Sequence, residues 1–101
     1  MKKLIILYTV PEDEAAFMAH YRSVHLPLAE KIPGLIRAVV TRIERTLMGE
    51  QGNFMLVEMC FADAESFRAA MKSPENAATG ADLANFAAGI VTVMAGEALE
   101  V

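Results

Sequence analysis

The side chains best suited to moving a proton near neutral pH are few in this sequence: two histidines, His20 and His25, and two tyrosines, Tyr8 and Tyr21. An imidazole titrates near neutrality and is the commonest general base. His25 lies in Val24-His25-Leu26-Pro27, where proline has no N–H to give and pushes the preceding residue out of the helical well. A helix should therefore break at His25. Either Pro27 opens a second short helix and His25 is a flank residue bonding a freed carbonyl, or the break aims its imidazole at a cavity as a proton carrier. On an ideal helix His20 sits roughly 140° around from His25, which makes it a flank residue.

Glu58 is the one charge in the apolar run FMLVEMCF. It is either paired with Arg37, Arg42 or Arg45 as a structural ion pair, or faces a cavity unpaired, where burial favours its neutral form and makes it a proton donor. Tyr8 ends a strand, as a hydroxyl at a cavity mouth or a core aromatic with a wet tip. Tyr21 falls on the packed stripe of a helix. The single Cys60 cannot form an intrachain disulfide and fits a reducing compartment. No His, Cys and carboxylate cluster has metal-ligand spacing, and no phosphate loop or nucleophile elbow is visible. Proton transfer without a cofactor is the simplest chemistry left.

The elements that must position these groups follow from periodicity. Lys3 to Thr9 is apolar at nearly every position and too short to favour a helix, so it is a strand. Pro11-Glu-Asp-Glu opens a helix, with acids at the positive end of its dipole. Phe17, Tyr21, Val24 and Leu28 form its buried stripe. Ile32-Pro33-Gly34 ends it. Leu35 to Arg45 is a second strand with a polar far half, and Met48 to Asn53 a glycine-marked loop. Phe54 to Phe61 is a third strand, with Phe54, Leu56 and Cys60 on one face and Met55, Val57, Met59 and Phe61 on the other. Asp63 caps a helix whose inward residues are Phe67, Ala70 and Met71. Ser73-Pro74-Glu75 restarts helical structure, Thr79 and Asp82 have capping-box spacing, and IVTVMA from Ile90 is a fourth strand.

Strand, helix, strand, strand, helix, strand is the ferredoxin-like βαββαβ order, an α+β fold with a four-stranded antiparallel sheet and helices on one face. Residues 1–101 form a single domain of this kind. Because the strands are apolar on both faces, the uncovered face should meet a second sheet, most simply that of an identical subunit. A hydrophobic fraction of 54% agrees with apolar surface meeting a partner. The net charge of −4, with no basic patch, argues against nucleic acid. No apolar run reaches membrane-spanning length, and Leu4 to Leu7 is too short for a signal-peptide core. A cytoplasmic protein is expected.

These pieces also carry a resemblance. Phe17-x-x-x-Tyr21-x-x-x-His25-x-Pro27-Leu28, Ile32-Pro-Gly-Leu35, VEMCFADAESFRAAMKSPE and Ala81-Asp82-x-x-x-Phe86 together resemble the EthD family. The resemblance implies the dimeric α+β barrel superfamily, whose sheets pack face to face around a cavity for small-molecule chemistry. It aligns His25 with the family's helix-break histidine and Glu58 with a frequent strand acid. Ala38 departs from the aromatic many relatives place there, which enlarges the pocket. The implied function is isomerase, cyclase, lyase or oxygenase chemistry on a small apolar or aromatic carbonyl compound. His25 is the expected base, Glu58 its companion, and Tyr8, Tyr21, Ala38, Val40, Leu56 and Cys60 the cavity lining. A non-catalytic binding dimer is the alternative, and a haem-handling protein of the same superfamily a third. No cofactor or metal is expected.

Overall fold

The computed structural model describes residues 1–101. Strand β1 spans Lys2–Thr9, and helix α1 spans Glu14–His20. Helix α1 begins after Pro11-Glu12-Asp13 rather than at Pro11, and Asp13 caps it by accepting a bond from the Ala16 N–H at 3.0 Å. The helix does not break at His25: Tyr21–His25 is one π-helical turn, and α2 (Leu26–Ala29) continues from it. The Leu26 N–H reaches back to the Tyr21 carbonyl, five residues away. A π turn absorbs one extra residue without ending the helix. Pro27 then falls in the first turn of α2, where its missing N–H costs least. Gly34, at φ 82°, makes the turn into the next strand.

Strand β2 (Leu35–Arg42) is shorter than its apolar and β-branched run, and β3 spans Asn53–Phe61. Helices α3 (Ala64–Met71) and α4 (Pro74–Phe86) follow, and β4 (Val91–Glu97) closes the chain. The Asp63 carboxylate caps α3 through the Ser66 N–H at 2.8 Å. The capping box at Thr79 is not formed, because α4 begins earlier, at the Ser73 cap, and runs through Asp82 unbroken. Thr79 instead donates its hydroxyl to the Glu75 carbonyl at 2.9 Å.

All strand pairs are antiparallel, in the order β2-β3-β1-β4. The registers align Ala38, Met59, Leu4 and Ala95 in one row and Val40, Val57, Ile6 and Val93 in another. Met59, Val57 and Ile6 are buried with the helix residues Phe17, Tyr21, Ala29 and Ala70, so this face carries the core. The alternate rows, Val39-Glu58-Ile5-Met94 and Thr41-Leu56-Leu7-Thr92, occupy the opposite face. Phe54 does not join them. A register shift after Tyr8 leaves Phe54 extra in β3 and turns its ring to the helix side, 5.5 Å from Phe17 edge to face.

Candidate functional site

The π turn decides which side chains meet. In an α-helix His20 and His25 diverge, but the wider i→i+5 turn brings residues five apart back to one side. Both imidazoles converge on Asp82, from the middle of α4. His25 Nδ1 lies 2.9 Å from Asp82 Oδ2, and His20 Nε2 lies 3.0 Å from each carboxylate oxygen. A carboxylate only accepts, so Nδ1 of His25 and Nε2 of His20 carry the protons. That tautomer leaves His25 Nε2 as a free lone pair. Phe86, one turn beyond Asp82, packs its ring 4.6 Å from His20 and 4.9 Å from His25, fixing both. Burial grades inward, from a His20 side chain 28% exposed through Asp82 at 10% to His25 at 4%.

Burial lowers the His25 pKa below its ordinary 6.5; the hydrogen bond and charge of Asp82 pull the other way, His20 pushes down again, and the net shift is downward. Burial alone would raise Asp82, but the hydrogen bonds and charges of His25 and His20 outweigh it and hold the carboxyl below its usual range. At neutral pH the pair is a neutral imidazole on an ionised carboxylate. An imidazole whose orientation and tautomer are fixed from behind in this way can accept a proton at Nε2.

His25 borders a pocket of about 180 Å³ between the helices and the sheet. Ile6, Val57 and Met59 form its floor, and Leu26, Ala29 and Leu83 are among its helical walls. Tyr8, Tyr21 and Ala38 line it too. Tyr8 is wholly buried, with a hydroxyl that has no partner, so it has no wet tip. Burial first, then Tyr21 and Asp82, raise its pKa. Tyr21 is pushed up to about 12, by burial and then by Glu30. Both are therefore neutral phenols over the physiological range.

The other expected residues stand elsewhere. Val40 shares the pocket's face but lies at its margin, 37% exposed and outside the lining. Leu56, Glu58 and Cys60 alternate with Val57 and Met59 along β3 and so project from the opposite face. They cannot line the pocket of His25, which lies under the helices and not between two sheets. Glu58 pairs with Lys3, Nζ to Oε2 at 2.9 Å, and with none of the three arginines of the second-strand run. Cys60 is buried away from the pocket. His20 is no flank residue, since it shares the carboxylate of His25. Asp82 is the group that reading by period missed; its spacing to Phe86 in the final helix was its one signal.

The EthD domain matches residues 11–90. A crystal structure of an ethyl tert-butyl ether d (ethd) family protein from Bacillus halodurans is 45% identical, covers 98% of this chain and 99% of its own, and superposes with a TM-score of 0.92. An uncharacterized 11.0 kDa protein of the thcB-thcC intergenic region of Rhodococcus erythropolis is 34% identical over 94 residues, which are 93% of this chain and 91% of the relative. SnoaB, a cofactor-independent oxygenase from Streptomyces nogalater, shares the fold at 16% identity and a TM-score of 0.65, over 99% of this chain and 94% of its own. From Pro11 to Ile90, and at 45% identity to a solved member, the chain belongs to the EthD family.

Proposed function

We propose that the protein is a small-molecule enzyme in which His25 is the general base and, in return, the general acid. Its substrate is a small apolar or aromatic carbonyl compound with an acidic C–H or O–H. The carrying observation is an imidazole held through Nδ1 by Asp82 at the wall of an apolar pocket. Nε2 removes the proton, the electron pair moves toward the carbonyl oxygen, and the imidazolium that forms is stabilised by Asp82. The proton returns to a different carbon in an isomerisation, to the oxygen of the attacked carbonyl in a cyclisation, or to the expelled group in a lyase step; in an oxygenase step the carbanion reacts with dioxygen as co-substrate, which supplies the oxidising equivalents. Tyr8 and Tyr21, neutral phenols in the same lining, are the donors for the oxygen where charge develops. SnoaB, of like fold, is an oxygenase that is itself cofactor-independent.

The assembly belongs to the same proposal. The face bearing Ile5, Leu56, Val39 and Met94 has no helix over it, and a homodimer packed through it would bury that surface.

α-Proton exchange of acetophenone in deuterated buffer, followed by NMR, tests the base. The protein should accelerate exchange over buffer, and His25→Gln should reduce that acceleration by about 10²-fold or more, the usual contribution of a general base. Equal exchange by the folded variant would contradict the assignment. Tight binding without accelerated exchange would instead identify a non-catalytic binding protein.

A further inference from the structure

The pocket's size and charge narrow what it can hold. A cavity of ~150 Å³ accepts benzene, so about 180 Å³ leaves room for one ring and a short substituent, and not for two fused rings. No lysine, arginine, aspartate or glutamate lines it. A carboxylate entering here would lose its hydration without gaining a cation, and it would approach the ionised Asp82, which stands directly behind His25. The polar groups that remain are neutral. The Tyr8 hydroxyl is buried with no partner, and Tyr21, whose ring lies 6.1 Å from that of Tyr8 and 5.5 Å from His25, brings a second phenol to the same wall.

We infer that the ligand is an uncharged single-ring compound with one oxygen acceptor, read by the Tyr8 and Tyr21 hydroxyls, and that the site rejects ring carboxylates of the same size. An unpaired buried hydroxyl is a standing cost that an incoming carbonyl oxygen relieves and a hydrocarbon does not. The desolvation that keeps both phenols protonated keeps them donors throughout the physiological range. Ala38 is part of the selection. Its small side chain on β2 leaves open the space a larger residue would close. The inference rests on the proposed function only in taking the pocket of His25 as the working site, and its test reads binding alone.

Acetophenone, isopropylbenzene and benzoate have the same number of non-hydrogen atoms, so their dissociation constants at neutral pH, measured by NMR titration, separate charge and hydrogen bonding from size. Acetophenone should bind at least tenfold more tightly than benzoate and severalfold more tightly than isopropylbenzene. Tyr8→Phe or Tyr21→Phe should bring acetophenone to the level of the hydrocarbon. Ala38→Phe should abolish binding of all three, and 1-acetonaphthone should bind at least tenfold more weakly than acetophenone. Benzoate at parity or tighter, 1-acetonaphthone at parity, affinity unchanged in Ala38→Phe or in both tyrosine variants, or no binding by any probe would overturn the inference. None of these results depends on turnover, so loss of exchange in His25→Gln with binding intact separates the two proposals.

Discussion

At the scale of single residues, the site is one carboxylate shared by two imidazoles, and its charge is set by depth. His25 is the buried member, so protonating it puts a cation where burial opposes one. Its folded pKa lies below the unfolded value of 6.5, and the unfolded chain therefore takes up the proton first as pH falls. Stability should be level with respect to this group above about pH 6.5 and decline below it. Asp82 acts in the same direction at lower pH, since its folded pKa lies under 3.8 and its stabilisation is lost as pH falls through that folded value. Urea denaturation at about pH 7 and about pH 5 should show the first step as a lower midpoint, and His25→Gln should remove most of it. A midpoint equally sensitive in the variant would mean another group carries the loss. His25 was legible from its place before Pro27, Tyr8 from its place at a strand end and Tyr21 from the apolar stripe of its helix. Asp82 was not, because its partners are 57 and 62 residues away in sequence, and its position in an Ala-rich helix reads equally well as a cap.

At the scale of elements, the sequence's periodicity located every strand, and also the helices around Phe17 and Phe67. It missed the π turn. A sliding 3.6-residue template assigns His20 and His25 to different sides, whereas the extra residue in Tyr21–His25 returns them to one. Pro27 signalled a departure from α-helical bonding at the right residue but not its form, since the same missing N–H suits a break or an adjusted turn. The bulge opposite Thr9 acts similarly in the sheet. Strict alternation puts Phe54 with Leu56 on the uncovered face, and the extra residue carries its ring to the core beside Phe17. Both irregularities insert one residue, and both move an aromatic ring toward the site's surroundings. The start of α4 shows the opposite case, where a local capping pattern at Thr79 yields to the earlier Ser73 cap, whose hydroxyl accepts the Asn76 N–H at 3.1 Å and donates to the Ala70 carbonyl at 2.6 Å.

At the scale of the molecule, the two faces of the sheet divide the work. The face under the helices holds the core and the pocket; the other displays Leu56, Ile5 and Val39 around the Lys3–Glu58 pair. The two-sided apolar strands foretold an uncovered face, but not which face would hold the pocket, because alternation alone does not say where helices land. Glu58 thereby becomes a residue of the proposed subunit interface, paired before association so that no lone charge is buried. A single carboxylate placed among these apolar side chains should be enough to oppose association. Leu56→Asp should convert a homodimer to monomer at micromolar concentration in sedimentation, with ligand binding in the pocket retained if the fold persists. A variant as fully dimeric as the parent would show that this face is not the interface.

The claim that His25 is a neutral, oriented base has a direct readout in the imidazole ¹⁵N spectrum at pH 7. With Nδ1–H held by Asp82 and the pKa lowered by burial, His25 should show a protonated Nδ1 and an unprotonated Nε2, and the Nε2 resonance should shift when acetophenone occupies the pocket. An imidazolium at this pH, or a proton on Nε2 with Nδ1 free, would contradict the account.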